Sequence, residues 1–542
     1  MSKVDYHKLH FLVADDFSSF RSTVNRMLID MGASHVDMAS NSQETIERCQ
    51  HRRYDVVLCD YNLGAGRNGQ HVLEELRYRE YLGLKSIFVL VSAESSRNIV
   101  MSAYDCAPDD YLMKPITTKM LHTRLDRLLQ TRLAMRPVYS ALERGEQGEA
   151  MDILVDMSLA DDRFSTVSQK LLGELFLKTG EYRKAEKLYM RVLEVRELDW
   201  ARLGLARAKH LQGDLEQAEQ WLEKIIEDNY LYLPAYDVLS DNCIKQGKTV
   251  RAQEIVQRSV EVSPMSILRQ KNLAHIASDN NDMPTALEAM HKVVKLGKLS
   301  CYGSVDDSMI LARTLATALE QQCDIPPGIL KDTFHTVSAV DNSHESLTPA
   351  TRPQLCYISA RMHALKNDVA AARALLARGE EQSGDSIQID VEVDHIRALI
   401  ALRDQAQLTP LLERLRAHYE HDQAALEKLD EFLDEPASDC NKAVVAEVNR
   451  EGIELYNEGR FDDALRCFDR VTQLFPKHLG LQLNIAQALI GKIKVNPQDS
   501  QSSEECRRIL ENVASNIDED NAQYKRFTQL KHMARAVLTF AS

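Results

Sequence analysis

Glycine and proline are scarce, 21 and 14 among 542 residues, together about half the roughly 12% of average usage. That is too little punctuation for the many turns of an all-β fold, and it predicts a chain dominated by helix. The ten cysteines include no C-x-x-C pair and no regular spacing. This disfavours a zinc site and a disulfide framework, and predicts reduced thiols in the cytoplasm. No charged-then-apolar leader opens the chain, and the longest apolar stretch, around Ile87 to Val91, falls far short of the ~18 residues that span a bilayer. Neither secretion nor membrane insertion is expected. Positive charge is in deficit, 66 Lys and Arg against 81 Asp and Glu for a net charge of −15, which argues against a partner recognised through nucleic-acid phosphates. Also missing are a G-x-x-x-x-G-K-[ST] loop, an H-E-x-x-H helix and a dinucleotide fingerprint after a strand. His344-Glu345 is only a loop dipeptide. What remains is ordinary globular material, 44% apolar and 27% charged, enough for three to four domains of about 150 residues.

In the first 130 residues short apolar runs alternate with amphipathic segments. HFLVA is followed by a helix after Ser18, VDMA by a helix from Ser42, and YDVVLCD by a helix from Gly69. SIFVLVSA is followed by a helix near Ser96, and DYLMK by a helix from Thr117. Strands apolar nearly throughout, such as Val56–Leu58 and Phe88–Val91, imply burial on both faces. The expected fold is a doubly wound α/β unit, (βα)5, with a parallel sheet that offers its ligand site at the carboxyl ends of the strands. Those ends carry Asp15 and Asp16, then Asp60, Ser92, and Lys114 followed by Pro115. Three carboxylates in one crevice repel one another, and a hard cation such as Mg²⁺ is the natural way to hold them ionised. A carboxylate so placed can attack phosphorus while metal and lysine neutralise the phosphoryl oxygens.

With these residues the segment from about 5 to 130 resembles the receiver domain of bacterial two-component response regulators, and FLVADDFSSFRSTV resembles the chemotaxis-type receiver in particular. The resemblance implies that Asp60 accepts a phosphoryl group from a histidine kinase. It implies that Asp15, Asp16 and Asp60 hold Mg²⁺ with the backbone carbonyl of Asn62. Ser92 and Lys114 would contact the phosphoryl group, Tyr111 would be the aromatic that swings inward with Ser92, and Lys114-Pro115 matches a position where the family commonly has a cis bond. Asn62 and Glu94 match the positions that tune dephosphorylation. The departure is YNLGAGRNG after Asp60, which lacks the family's proline and reaches glycine, at Gly69, one residue late. Loop shape, partner docking and phosphoryl lifetime are the properties this departure touches.

Beyond this segment a helix carrying Leu121, Leu125, Leu128 and Leu129 runs towards Pro137, which is expected to end or kink it. It could join domains or form a homodimer seam. An internal repeat follows. Ala185, Ala218, Ala252 and Ala286 are spaced by 33, 34 and 34. Twelve residues before each stands Gly173, Ala206, Ser240 or Ala274, and five before each stands Gly180, Gly213, Gly247 or Asn281, types that tolerate a left-handed helix end. The frame returns at Ala360, Asn367 and Ala372 and, most fully, at Gly452, Gly459, Ala464, Phe468 and Pro476, with Ala486 opening a next helix. Gly145 and Ala150 mark a worn first repeat. DIPPG and DNSHESLTPATRP interrupt the pattern between Asp306 and Asp434.

The pattern resembles the tetratricopeptide repeat, a helix-turn-helix unit stacked into an all-α solenoid whose concave face binds other proteins. The expected organisation is a receiver over 1–131, repeats over 132–300, less regular helical repeats over 301–435, and C-terminal repeats over 436–542. Lys170, Arg207, Lys271, Asn272 and His275 are candidates for the groove, with a solvated charged face as the simpler reading. Motifs for cyclic-dinucleotide chemistry, a kinase core and a basic recognition helix are all missing. The expected function is therefore a response regulator with output through protein–protein interaction. Its only catalysis would be the receiver's own phosphoryl transfer and dephosphorylation. The alternatives are a phosphate drain or kinase-inhibiting auxiliary regulator, and a constitutive scaffold. The kinase and the protein ligand of the solenoid stay unidentified at this level.

Overall fold

The computed structural model describes residues 4–93, 106–160, 163–342, 347–349, 351–384, 387–517 and 521–538. Glu94, Ser96, His344 and Glu345 lie outside the described residues. The chain divides into two compact units, 1–346 and 347–542.

The first unit opens with five strands, β1 (His10–Ala14), β2 (His35–Ala39), β3 (Val56–Asp60), β4 (Ile87–Ser92) and β5 (Asp110–Met113). All pair in parallel, in the order β2-β1-β3-β4-β5. Helices α1 (Ser18–Asp30), α2 (Ser42–His51), α3 (Gly69–Tyr78) and α4 (Thr118–Ala134) cover the sheet. The period-2 alternation of strand side chains splits the core in two. Phe11, Val13, Val56, Leu58, Val89 and Val91 pack with Val24, Leu28, Leu121 and Leu125 of α1 and α4. Leu12, Val57, Cys59, Phe88 and Leu90 pack with Ile46, Val72 and Leu76 of α2 and α3. Both faces of β3 and β4 are buried, which is why their sequences are apolar up to the last residue of each, Asp60 and Ser92. The leucines of α4 are used here: Leu121, Leu125 and Leu129 are buried in the sheet core, and Leu128 packs beside them.

Pro137 begins a helix rather than kinking one. Only Met135, fully buried, separates α4 from α5 (Arg136–Glu143), where proline sits in the first turn and its missing N–H costs nothing. Antiparallel helix pairs then follow: α5 with α6 (Gln147–Leu159), α7 (Ser165–Lys178) with α8 (Tyr182–Val195), α9 (Asp199–Gln212) with α10 (Leu215–Asp228), α11 (Leu233–Lys245) with α12 (Thr249–Val262), α13 (Ile267–Asp279) with α14 (Met283–Gly297), and α15 (Val305–Glu320) with α16 (Pro327–Asn342). The second unit continues from α17 (Thr351–Leu365), α18 (Val369–Ser383), α19 (Ile389–Leu402), α20 (Gln405–His418) and α21 (Gln423–Asp430) to α22 (Asp439–Asn457), α23 (Phe461–Thr472), α24 (Leu479–Val495), α25 (Ser500–Asn516) and α26 (Tyr524–Leu538).

The repeat marks have one physical basis each. The residues five before the alanines have positive φ, as at Gly213 (+86°), Asn281 (+60°) and Gly459 (+78°). The next N–H then reaches back to the carbonyl five residues earlier, as in Asp214 to Lys209, 3.0 Å, and Arg460 to Leu455, 3.0 Å, closing the helix end. The small residues make room for rings. A Cβ on Gly173 or Gly204 would come within 2.4 or 2.2 Å of the buried Tyr189 ring, and one on Gly452 within 2.3 Å of Phe468. Between α19 and α20 the same turn is built on Arg403 at φ +55°, with Asp404 bonded to Leu399. The helix pair survives there although the sequence marks do not.

The two kinds of glycine give substitutions of opposite sign. Gly148, exposed in α6 with open space around its Cβ direction, should gain up to about 1 kcal/mol as Gly148→Ala from helix propensity. Gly452→Ala should lose about 1–3 kcal/mol through overpacking against Phe468, read as opposite shifts of the thermal unfolding transition.

Candidate active site

The four strand ends bring together the side chains that the sequence places there. β1 ends at Ala14 and delivers Asp15, wholly buried, and Asp16; β3 ends on Asp60 itself, 5% exposed. Ser92 is the last residue of β4 and is buried, and its carbonyl accepts the Lys114 N–H at 2.8 Å. One residue past β5, the Lys114 ammonium donates to Asp15 Oδ2 at 2.7 Å and to Asp60 Oδ2 at 2.8 Å. The Lys114-Pro115 peptide is cis. Tyr111, on β5, is half-buried against the α2/α3 side of the core.

Burial pushes the Asp60 carboxyl up to about 6 against the pull of Lys114, and the Asp15 carboxylate adds to the push. Burial alone would depress the Lys114 ammonium, but its bonds to Asp15 and Asp60 outweigh that and hold it above its ordinary range. The other Asp15 oxygen accepts the Phe17 N–H at 2.8 Å. The three carboxylates of Asp15, Asp16 and Asp60 offer oxygens that all lie within 4.8 Å of one another. Asp16 Oδ1 is buried with no hydrogen-bond partner among the described residues. A buried carboxylate oxygen so placed costs free energy unless a cation or donor meets it, and an all-oxygen set of this kind suits a hard divalent ion. Asn62 is exposed, and its side chain accepts the Gly64 N–H at 3.2 Å.

Two supporting residues, Phe20 and Arg21, had no role in the sequence reading, and Gly69, expected only as the glycine that closes the lengthened loop, has a packing role as well. Phe20, from α1, places its ring 4.1 Å from the Lys114 ammonium, a cation–π contact that helps fix that side chain. Arg21 donates to the Asp15 and Asp16 carbonyls at 2.6 and 3.2 Å, holding the β1–α1 turn. Gly69 starts α3 so close to β3 that a Cβ would stand 2.2 Å from the Asp60 carbonyl oxygen. The signal for Phe20 and Arg21 was their place in the first helical turn and a half after the acidic pair. For Gly69 it was the glycine closing an otherwise irregular loop. The longer loop folds through Gly64 (φ +85°) and Gly66 (φ +105°) and returns with Gly69 N–H on the Tyr61 carbonyl at 2.8 Å. The inserted length is absorbed before α3 begins.

Residues 11–126 match the family model for the response regulator receiver domain. The N-terminal α/β domain is a receiver domain. Two stretches of the helical region, 200–224 and 449–492, match tetratricopeptide repeat models. The receiver is 26% identical over 122 residues to chemotaxis protein CheY-3 of Vibrio cholerae, covering 22% of this chain and 92% of that protein. It is 24% identical over 122 residues to chemotaxis protein CheY of Pseudomonas aeruginosa, covering 22% and 97%. Among solved structures it is similar to CheY4 of Vibrio cholerae (24% identity, 22% of this chain and 98% of that one, TM-score 0.21). It is also similar to TrrA of Thermotoga maritima in complex with Mg(2+)-BeF (25% identity, 22% and 99%, TM-score 0.20). Among the described residues no helix is long and apolar enough to cross a membrane.

Removing the shared cation should expose the electrostatic cost of the cluster. With divalent ions chelated, Lys114→Met should lose about 3 kcal/mol of receiver stability, because two buried carboxylates lose their partner. Adding Asp60→Asn should return part of that loss, a non-additivity measurable by a double-mutant cycle in urea.

Proposed function

We propose that the protein is a response regulator phosphorylated on Asp60 by a histidine kinase, with output through what its repeats bind. The observation that carries this reading is one ammonium, Lys114, bonded to both Asp15 and Asp60 at the carboxyl ends of a parallel sheet, beside an Asp16 oxygen with no hydrogen-bond partner among the described residues. In this reading Asp60 is the nucleophile: its oxygen bonds to the phosphorus of the kinase's phosphohistidine as the P–N bond breaks and the imidazole departs with its electron pair. Lys114 follows the transferred charge, since its Asp60 bond already places it within reach of a group on that carboxylate. Ser92, at the end of the neighbouring strand, is the hydroxyl for a second phosphoryl oxygen. Tyr111, on the next strand, is the side chain that would take up the Ser92 displacement. Asp15, Asp16, Asp60 and the Asn62 carbonyl would hold Mg²⁺, which supplies further neutralisation of phosphoryl charge when bound.

The reading of the repeats rests on how they are joined to the receiver. Met135 belongs to the repeat core with Ala150, Leu154 and Leu172, yet it is the next residue after α4. No flexible linker separates switch from scaffold. Lys85 of the receiver also pairs with Glu143 of α5 at 2.7 Å. Between α9 and α11 a cavity of about 380 Å³, lined by Arg207, His210, Leu211, Asp237 and Val238 among others, gives the repeats a mixed polar and apolar recess for a protein ligand. Of the other groove candidates, Lys271 is taken up internally by Asp307 at 2.8 Å and the Tyr302 carbonyl at 2.8 Å, and His275 pairs with Asp279.

Incubation with a small phosphodonor and Mg²⁺ should label the full chain at one acid-stable, base-labile site. Asp60→Ala should abolish the label, and Asp16→Asn should raise the Mg²⁺ concentration needed by tenfold or more. Uptake that survives Asp60→Ala would overturn the assignment.

A further inference from the structure

The repeats return to the receiver at a second place, far along the chain from α5. Successive pairs from α7 onward are connected by short segments, 196–198, 229–232 and 263–266. The connection between α14 and α15 is longer, 298–304, and its extra length is folded rather than loose. Gly297 and Gly303 pack backbone to backbone, so that a Cβ on Gly303 would lie 2.1 Å from the Gly297 carbonyl oxygen. The Ser300 hydroxyl accepts the Tyr302 N–H at 3.2 Å, and Lys271 of α13 holds the Tyr302 carbonyl. Ser304 and Asp307 cap the start of α15 reciprocally. The result is a braced finger carrying Ser300 and Tyr302.

This finger touches the outer face of α3. The Ser300 hydroxyl donates to Glu74 Oε2 at 3.3 Å, and the Tyr302 ring meets Tyr78 edge to face with centroids 5.8 Å apart. Beside these contacts a cavity of about 160 Å³ remains between Gln70, Arg77 and Cys106 of the receiver and Ile267 and Leu268 of α13. Among the described residues a hydrogen bond and a ring pair flank this cavity, contacts each worth about 0.5–1.5 kcal/mol. Such a contact can be shifted by the ~1–3 kcal/mol typical of coupling between sites.

Both receiver segments at this contact lead directly to the acidic crevice. α3 begins at Gly69, whose backbone is pressed on the Asp60 carbonyl, and Gln70 and Glu74 lie within its first two turns. The second segment is fixed to α3 by Arg77, which donates to the Cys106 and Ala107 carbonyls, while the Cys106 thiol donates to Glu74 Oε1 at 3.2 Å. From Ala107 the chain runs into β5, with Tyr111, and on to Lys114. A packed backbone does not deform smoothly, so a displacement at Asp60 or Lys114 carries into α3 and the β5 lead-in together.

We infer that the α3 face docked on the 298–304 finger is the surface through which the state of Asp60 is coupled to the repeats, the partner of the receiver being a segment of its own chain. This rests on the phosphoacceptor reading above. The finger sits between the α13/α14 and α15/α16 pairs, where a change of contact alters how one pair stacks on the next.

The test is hydrogen–deuterium exchange of the full chain with and without Mg²⁺ and beryllofluoride, with a titration of beryllofluoride followed on the receiver peptides. In the natural sequence, exchange should change in peptides covering 61–69 and 106–115 and also in those covering 266–272 and 298–307. In Glu74→Gln/Tyr78→Ala the receiver change should persist while the change in 266–272 and 298–307 is lost. By reciprocity of linkage the half-saturating beryllofluoride concentration should move by about fivefold or more. Tyr302→Ala should reproduce both effects from the repeat side. Receiver peptides that respond while 298–307 does not, in the natural sequence, would overturn the coupling and leave the phosphoacceptor reading standing. Silence in all these peptides would overturn both.

Discussion

Asp15, Asp16 and Asp60 offer oxygens within 4.8 Å of one another, and in a largely buried crevice they stay ionised together only if cations meet them. Much of the receiver is arranged around that requirement. The parallel sheet is what allows it, because strands running the same way put all their carboxyl ends at one edge. Lys114 supplies one positive charge to two of the carboxylates and is steadied by the Phe20 ring. Arg21 secures the turn bearing the third. The Asp16 oxygen left without a partner among the described residues is where a divalent ion has most to gain. Electrostatic stress is therefore concentrated on a few atoms: burial and the Asp15 carboxylate both push the Asp60 carboxyl up.

The helical region answers a different constraint. A helix pair cannot bury its apolar face alone, so stability comes from stacking pairs. Here that requires a notch for each large ring and a tight reversal between helices. Tyr189 fits because Gly173 and Gly204 carry no Cβ, and Phe468 fits because Gly452 carries none. The two devices are separable. Where the reversal falls on Arg403, the turn hydrogen bond forms on a residue that pays about 1–2 kcal/mol for a left-handed backbone, and stacking through Leu399, Leu411 and Leu415 outweighs it.

These two constraints explain which parts could be read from sequence. The (βα)5 order, the strand-end residues and the repeat frame were legible because each depends on residue types at fixed spacing: apolar runs, acids after β1 and β3, and a small residue, a turn residue and an alanine in register. Less legible was whatever depends on distant backbone meeting backbone. Arg403 carries none of the turn's usual residue types. Pro137 reads as a break, although with Met135 buried it becomes the first turn of a new helix. Lys271 reads as a solvated-face or groove cation, but it is taken up by Asp307 and the Tyr302 carbonyl in a loop where Gly297 meets Gly303. The helix bearing the α4 leucines reads as a domain joint or a seam; it does join the domains, and its leucines are buried under the sheet.

The same distinction bears on how a receiver can control a solenoid. At the α4–α5 joint the two parts share a continuous backbone interrupted by one buried methionine, a connection that sets position and has little freedom to switch. At α3, among the described residues, they meet through Ser300 on Glu74 and Tyr302 on Tyr78 beside a cavity. A strong joint and a second contact, both within one compact unit, would divide the tasks in the proposed coupling: the joint keeps the finger near α3 at high effective concentration, so the contact at α3 can form without large intrinsic affinity and shift with the state of Asp60.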